Sequence, residues 1–412
     1  MTYPTYEKYK ESGVPWLGDV PEGWEVKKLR YAAKLSDKRV PYEEADCSYV
    51  GLEHIESWTG KRINDDEASA DGIVSMFEAG DVLFGTLRPY LAKVHRAEQK
   101  GCSSTEALVL RGSEALDTHF LKYYMLSPAF IDEVNAATYG AKMPRANWTD
   151  VGGLPVSLPN PTEQKAIAEF LDTKTAEIDA LVAKKQELLK LLAEQRTALI
   201  THAVTKGLNP SAPMKDSGID WLGHIPQHWK TAPLKFCLRF MNNRRIPLSG
   251  EYRGRMADKI YPYYGASGII DQVEDYIFDE PSILIAEDGA NLLSRSTPLA
   301  FIAEGKYWVN NHAHILKTIL GSFDYWANLL CNVDYTPWIT GSAQPKLNKE
   351  NLGGIHLPLP PEDEQYEIAE HLMTVTQKID PISEKTQEAI DRLKEYRTAL
   401  ITNAVTGKIK VV

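Results

Sequence analysis

Four cysteines are all that the 412-residue sequence carries, and no two of them form a C-x-x-C pair. Cys47, Cys102, Cys237 and Cys331 are too scattered for a zinc ribbon or a disulfide framework, so reduced core thiols are expected. No apolar run reaches the roughly 18 residues that a membrane-spanning helix needs. The opening residues also lack the basic flank and apolar stretch of a secretory signal, which makes the cytoplasm the expected location. Catalytic signatures are missing too: there is no P-loop, no G-x-G-x-x-G after a strand, no H-E-x-x-H, no G-x-S-x-G and no Asn-Pro-Pro-aromatic motif. Together these absences favour a binding or organising protein over an enzyme acting alone. Positive charge is also in short supply. The net charge of −10 argues against a phosphate-rich partner unless cations cluster locally. By segment the balance is −6 over 1–160, 0 over 161–206, −1 over 207–361 and −3 over 362–412. Within the third segment Arg239, Arg244, Arg245, Arg253, Arg255 and Lys259 face only Glu251 and Asp258 between positions 239 and 259, a basic patch on an acidic chain.

What the sequence does have is a tandem repeat. Leu158–Thr205 lies over Leu359–Thr406 at a constant offset of 201, including Glu163-Gln164 over Glu364-Gln365 and Arg196–Thr201 over Arg397–Thr402. The opening Ser12-Gly13-x-x-Trp16-Leu17-Gly18-x-x-Pro21-x-x-Trp24 returns as Ser217-Gly218-x-x-Trp221-Leu222-Gly223-x-x-Pro226-x-x-Trp229 at an offset of 205. Between these matched ends, roughly over 30–150 and 235–350, the copies match poorly, as when one frame serves two recognition tasks. The four Trp could stack on bases, but recurrence in both copies favours core anchoring of the opening segment.

The repeated ends predict two long helices. Asn160-Pro161-Thr162-Glu163 offers a cap, a Pro at the first helical position and an acid behind it, and Pro361 is followed by Glu362, Asp363 and Glu364 at the positive end of the dipole. Steps of three and four then mark a seam of Ile167, Leu171, Ile178, Leu181, Leu188, Leu192 and Leu199. In the second copy the seam is Ile368, Leu372, Val375, Ile379, Ile382, Leu393, Tyr396 and Leu400. Sustained over about five heptads, this spacing predicts coiled-coil pairing. A first helix carrying the chain roughly 65 Å away, followed by a short Gly207–Pro210 linker and a second helix running back, predicts antiparallel packing with pseudo-two-fold symmetry. An ordinary helical hairpin within one domain is the plainer alternative.

Both middles have β character: Gly80–Gly85, Ala107–Leu110 and Ser282–Gly289 predict short buried strands beside loops rich in Arg, Asn, Ser and Tyr. Such loops suit the reading of base edges and phosphates. His312-x-His314 places two imidazoles on one strand face, yet no further ligands accompany them, so a hydrogen-bonding role outweighs a metal site.

In its full-length order of variable region, helix, variable region, helix, the chain resembles the specificity (S) subunit of type I restriction-modification systems. The S-G-x-x-W-L-G-x-x-P-x-x-W opening, the helix entries Leu158-Pro159-x-Pro161-x-Glu163-Gln164 and Leu359-Pro360-Pro361-x-x-Glu364-Gln365, the Arg-Thr-Ala-Leu-Ile-Thr endings and the segment Gly80–Leu91 carry the likeness. The resemblance implies an α/β fold of α+β type, a pseudo-two-fold tandem repeat. Target recognition domains over 1–158 and 208–359 would be joined by antiparallel coiled-coil spacer helices over 159–207 and 360–412. Each variable domain would read one half of an asymmetric bipartite double-stranded DNA target, with the helices setting the gap. Two methyltransferase subunits would dock on the chain and bring S-adenosylmethionine for adenine N6 methylation, and a motor-nuclease subunit could add ATP- and Mg-dependent translocation and cutting. This chain would hold no catalytic residue, metal or cofactor itself. The residues expected at DNA are Arg88, Tyr90, Lys93, Lys142 and Arg145 in the first domain, and Arg244, Arg245, Arg253, Arg255, Asn291, Arg295 and Lys346 in the second. The rival reading is a coiled-coil adaptor with two protein-binding domains and no DNA specificity.

Overall fold

A computed structural model describes residues 3–63, 71–140, 142–341 and 344–411. The chain divides into two compact units, Met1–Gln186 with Gln387–Val412 and Glu187–Thr386. These units cut across the boundaries expected at 158, 207 and 359, because each long helix begins in one unit and ends in the other.

In the first unit the main sheet is antiparallel, in the strand order Lys34–Ser36, Ala107–Arg111, Val82–Gly85, Val94–Arg96. Val82–Gly85 is buried along its whole length, as a central strand covered on both faces should be. Helices Thr118–Met125 and Pro128–Ala136 cover the sheet, and their Phe120, Tyr124, Phe130 and Ile131 join Phe84, Val94 and Leu110 in the core. The second unit repeats this plan with Leu238–Phe240, Ala313–Thr318, Ser282–Ala286 and Ala300–Ala303, covered by the helix Phe323–Asn332.

A second, smaller sheet is where the copies part. Each holds a short parallel pair, Tyr49–Val50 with Gly101–Ser104 in the first unit and Tyr261–Gly265 with Trp308–Val309 in the second. In the first unit Ile73–Phe77 and Arg39–Pro41 add to the Gly101–Ser104 side. In the second, Gly268–Val273 adds to the opposite member, Tyr261–Gly265. This sheet also overturns the expectation of reduced thiols, since Cys47 and Cys102 form a disulfide with sulfurs 2.30 Å and Cα atoms 6.1 Å apart. Pairing Cys102 against Tyr49 brings in Cys47 from 55 residues away, a proximity that sequence spacing does not reveal. Cys237 and Cys331 are free.

The opening motif anchors the frame, as its recurrence predicts. Trp24 and Trp229 are 1% and 0% exposed, and burying about 200 Å² of indole contributes on the order of 5 kcal/mol apiece. Lys408 donates its ammonium to the carbonyls of Leu17 and Asp19, and Lys206 does the same to Leu222 and His224, so one cation ties each opening hairpin to a helix end. The repeated Glu-Gln pair fixes the helix entries. Gln164 is wholly buried and bonds Asp117, Ala115 and Pro159 main chain, Tyr6 donates to Glu163 at 2.6 Å, and Trp229 donates to Glu364 at 2.8 Å.

The long helices span Pro161–Lys206 and Glu362–Val405. In the first unit the start of one lies against the end of the other, where Arg397 donates to Asp179 at 2.9 Å. In the second, Arg196 donates to Asp380 at 3.0 Å. The pairs are copies of each other at the 201 offset, and each joins antiparallel segments. Among the fifteen expected seam positions, Leu181, Leu188, Leu199, Ile382 and Tyr396 are more exposed than the residue that follows each. The column Leu171, Ile178 and Leu192 is buried, with Leu372, Ile379 and Leu400 in the second copy, and Leu393 is half-buried. Ile167 and Ile368 are buried in the domain cores. Leu181, Leu188 and Leu199 are 44%, 41% and 37% exposed, Ile382 and Tyr396 49% and 40%, and Val375 only half-buried. The second inward column instead runs one position later, through Ala168, Thr175, Val182, Leu189 and Arg196 and through Ala369, Thr376, Ser383, Ile390 and Arg397. This column also places Arg196 and Arg397 where each meets an Asp of the other helix.

Candidate nucleic-acid interface

At the end of the central strand in each unit, two loops are locked together by the same backbone bonds. In the first unit the chain leaves Gly85 through Thr86–Leu91 and is met by the hairpin Tyr139–Arg145. The Arg88 N–H donates to Pro144 at 2.8 Å, the Ala146 N–H to Thr86 at 3.0 Å, and Tyr139 and Arg145 exchange bonds of 3.1 and 3.0 Å. In the second unit Gly289 donates to Pro345 at 3.0 Å, Leu347 to Glu287 at 2.8 Å, and Thr340 and Lys346 exchange bonds of 2.9 and 2.8 Å. Every one of these positions is related by the offset of 201. The hairpins turn on Gly140 at φ 90° and Gly341 at φ 86°, where an added Cβ would stand 3.2 Å from Met143 O and 2.5 Å from Gln344 O. Behind them Asn147 and Asn348 cap the next helical turn in the same way, accepting from the N–H three residues on.

This frame extends the repeat into regions that look unmatched on first reading. Gly140, Pro144, Asn147 and Gly152-Gly153 recur as Gly341, Pro345, Asn348 and Gly353-Gly354, a signal of scattered turn residues at constant offset that was present in the sequence. What the frame displays differs between copies. In the first unit Arg88, Lys142 and Arg145 are exposed, with Tyr139, Tyr90 and Met143 at 59%, 45% and 46%. Arg145 pairs with Glu106 at 2.5 Å. Lys93 departs from this face, because its ammonium donates to the Ile55 carbonyl at 2.5 Å. Arg88 is held at φ 51°, a left-handed conformation that costs a non-glycine residue on the order of 1 kcal/mol. Its counterpart, Gly289, occupies φ 106°.

In the second unit much of the expected positive charge is consumed inside the domain. Arg245 donates to Glu287 at 2.7 Å and to the Ala313 carbonyl at 2.7 Å, with only 16% of its side chain exposed. Arg244 pairs with Glu280 at 2.5 Å and lies over the Phe278 ring at 4.6 Å. Arg253 binds Asp271 at 2.9 Å and lies over Tyr263 at 4.6 Å, and Lys259 shares the same carboxylate at 3.2 Å. Arg255 pairs with Glu251 on the surface. The Arg253 hydrogen bond, the Gln272 N–H and Lys259 bring the Asp271 carboxyl down to about 2. Hydrogen bonds from Lys317 and Arg244 hold Glu280 below the usual range. Burial pushes Glu287 up, but Arg245, His314 and Lys346 together outweigh it and its carboxyl sits low. The patch that stands out in sequence is therefore mostly a set of ion pairs, because its acids come from Asp271, Glu280 and Glu287 further along the chain. Asn291 is likewise occupied: its carbonyl accepts from Thr297 N at 3.0 Å and its amide donates to Thr297 O at 3.1 Å. Arg295 caps Cys331 and Val333 carbonyls at 2.7 and 3.1 Å while remaining exposed, and Lys346 stays half-open 3.5 Å from Glu287.

A family model described as the type I restriction modification DNA specificity domain matches residues 21–191 and 227–392, one copy per repeat. The chain belongs to this DNA-specificity family. A Haemophilus influenzae protein named as a type I restriction enzyme specificity subunit is 37% identical over 152 residues, 36% of this chain. That match spans 37% of the relative's own length. A Methanocaldococcus jannaschii protein named as the MjaX specificity subunit is 23% identical across 96% of both chains. Among solved structures, a chain from work on complex assembly and conformational transition of the type I R-M system shares the fold, with a TM-score of 0.69 and 19% identity over 94% of this chain and 98% of that one.

In this member of the specificity family the two histidines expected on one strand face separate, since His312 lies in the turn before Ala313–Thr318 and only His314 is on that strand. His314 is buried, donates to the Leu347 carbonyl at 2.7 Å and accepts from Asn242 at 2.8 Å, and burial lowers its pKa. His312 is 47% exposed and lies 2.8 Å from Asp288 beside the loop pair. No cluster of three or more metal-ligating side chains occurs among the described residues, and none of their helices is long and apolar enough to cross a membrane. Tyr139, Met143, Glu106, Asp288 and His312 are thus residues at the loop pairs that were not among the expected DNA contacts.

Proposed function

We propose that this chain gives DNA sequence specificity to a type I restriction-modification assembly, each loop pair reading one half of a split, asymmetric target. The observation that carries this is the identity of the two loop frames bond for bond beside the difference in what they present. An exposed Arg-Tyr-Lys-Met set stands on one and a Gly-Asn-His-Asp set on the other. Arg suits guanine O6 and N7, amides and carboxylates suit the amino groups of adenine and cytosine, and Lys holds phosphate. The helices fix the gap between half-sites. Exposed Leu188 and Leu191 on one helix, and Tyr366 and Met373 on the other, offer apolar side chains suited to partner helices. Two methyltransferase subunits dock there and carry S-adenosylmethionine and the adenine N6 chemistry. A motor-nuclease subunit, where present, brings ATP and Mg, and the whole works in the cytoplasm. On this reading the chain is a non-catalytic subunit.

Co-expression with its methyltransferase subunit, followed by single-molecule sequencing of host DNA for N6-methyladenine, tests the proposal. One split motif should appear only when this chain is present. Exchanging residues 139–145 for a foreign hairpin should alter one half of it and leave the other intact. A stable complex with no motif would favour the adaptor reading instead.

A further inference from the structure

The units share a buried frame and differ in their loops. An exposed apolar side chain that recurs at the same place in both therefore serves neither the frame nor the sequence being read. Among the described residues, large apolar side chains recur in this way at Tyr9 and Met214, Tyr31 and Phe236, and Leu181 and Ile382. Tyr9 is partly accounted for, since its hydroxyl donates to the Gly407 carbonyl. The most exposed pair is Tyr31 at 75% and Phe236 at 66%. Each sits on a single helical turn, Leu29–Ala32 or Leu234–Cys237, whose Leu29 and Ala32, or Leu234 and Cys237, face the core and so turn the ring outward. Each is framed by the same exposed cations, Arg30-Tyr31-x-x-Lys34 and Lys235-Phe236-x-x-Arg239. Arg30 is steadied by the carbonyls of Gly152 and Thr149, and Lys235 lies over its own neighbour's ring at 5.4 Å.

The strand register separates this motif from the loops that read DNA. Lys34 pairs with Arg111, whereas the loop pair leaves the sheet where Gly85 pairs with Ala107. In the second unit Leu238 pairs with Thr318 and the loops leave at Ala286 and Ala313. At about 3.4 Å per residue, each aromatic-cation motif stands roughly 13 to 17 Å away, at the other end of its sheet. A ring and cations at that place fit a protein surface better than base edges, since aromatic and Arg side chains anchor protein interfaces. A feature present twice fits a partner present twice.

We propose that Tyr31 with Arg30 and Lys34, and Phe236 with Lys235 and Arg239, are equivalent docking points for two copies of one protein that offers a ring-accepting pocket rimmed by carboxylates. This rests on the reading above in taking that protein to be the methyltransferase subunit. The test is native mass spectrometry of the full chain with the purified subunit, at a concentration where wild type holds two copies. Tyr31→Asp and Phe236→Asp should each retain one copy, with at least a 100-fold loss at the altered point, and the double variant should retain none. Tyr31→Phe and Phe236→Tyr keep the ring and should retain two. A photoreactive phenylalanine placed at either position should cross-link one subunit, a readout that does not depend on a damaging substitution. Aspartate variants that still hold two copies with unchanged affinity, or cross-linking at neither position, would overturn the docking points alone. A wild-type chain that binds no subunit would overturn the specificity-subunit reading together with them.

Discussion

The two loop pairs answer the same backbone problem and leave opposite surfaces. The first leaves Arg88 and Lys142 exposed, with Arg88 at φ 51° and Arg145 paired to Glu106, whereas the second places Gly289 at the Arg88 position and ties Arg253, Arg244 and Arg245 to Asp271, Glu280 and Glu287. The second sheets diverge in parallel, growing on opposite sides of one two-stranded pair. What the frame displays can therefore change without redesigning its hydrogen bonds. The same cation type is exposed in one copy and an internal brace in the other, and sequence alone gives both the same appearance.

The sharpest way to break the comparison is to truncate an arginine that acts as an internal brace. Arg245→Ala strips the half-buried Glu287 of its main partner and should lower stability by about 3 to 5 kcal/mol, read as a fall in the thermal midpoint. Next in size is the pair of hairpin glycines. Gly341→Ala meets a carbonyl at 2.5 Å in addition to an unfavourable φ and should cost about 3 kcal/mol. Gly140→Ala meets its carbonyl at 3.2 Å and should cost about 1 kcal/mol. Denaturant unfolding of the two variants side by side measures the difference, and equal losses would mean that the unequal clearance at the two turns has no energetic consequence.

Much of the fold was legible because repetition exposes a frame. The Trp24 and Trp229 anchors, the Glu-Gln helix entries and the helix starts all follow from local chemistry repeated at a fixed offset. Three features were not legible, each for a physical reason. The more buried column of the first helix holds Thr175, Val182 and Arg196 rather than Leu181 and Leu188, because Arg196 is drawn in by Asp380 and Thr175 by Tyr123, partners that only the fold supplies. The Cys47–Cys102 bond depends on strand pairing across 55 residues. The fate of the basic patch depends on acids that only the fold delivers to Arg244, Arg245 and Arg253. For the candidate site, Arg88, Tyr90, Lys142 and Arg145 share one exposed loop pair, whereas the second domain's expected residues are scattered and mostly engaged.

A smaller effect should separate reading from bracing at Arg88. Arg88→Gly gives the first loop the residue that the second already has, so the fold should not be destabilised. Binding of a cognate duplex by the assembled complex should nonetheless weaken by about 2 kcal/mol, close to 30-fold. Lys142→Ala should weaken all sequences alike and reduce the slope of log K against log salt by about 0.9, as the loss of one phosphate contact does. Loss of stability without loss of binding in Arg88→Gly would reverse the roles assigned to the two copies.

Acid should loosen the turn Gly250–Gly254 in the second unit through the tie between Arg253 and Asp271. Asp271 has its carboxyl pulled down to about 2, below its unfolded range near 4. A depressed carboxyl contributes stability that is present above the unfolded value and is lost as pH falls through the folded one. The window for this pair is therefore about pH 4 down to 2. Only a modest effect is expected, because 27% of the Asp271 side chain is exposed and solvent screens the pair. Amide exchange of Tyr252, Arg253 and Arg255, whose N–H groups cap the turn that Arg253 fastens to Asp271, should quicken over that window. Asp271→Asn removes the titrating group, so those amides should exchange quickly at every pH and the window should vanish. The backbone bond from Arg88 to Pro144 is made by groups that do not titrate and should hold at pH 3. If both segments loosen together, acid is acting on a whole unit, and the distinction between a braced loop and a hydrogen-bonded one fails.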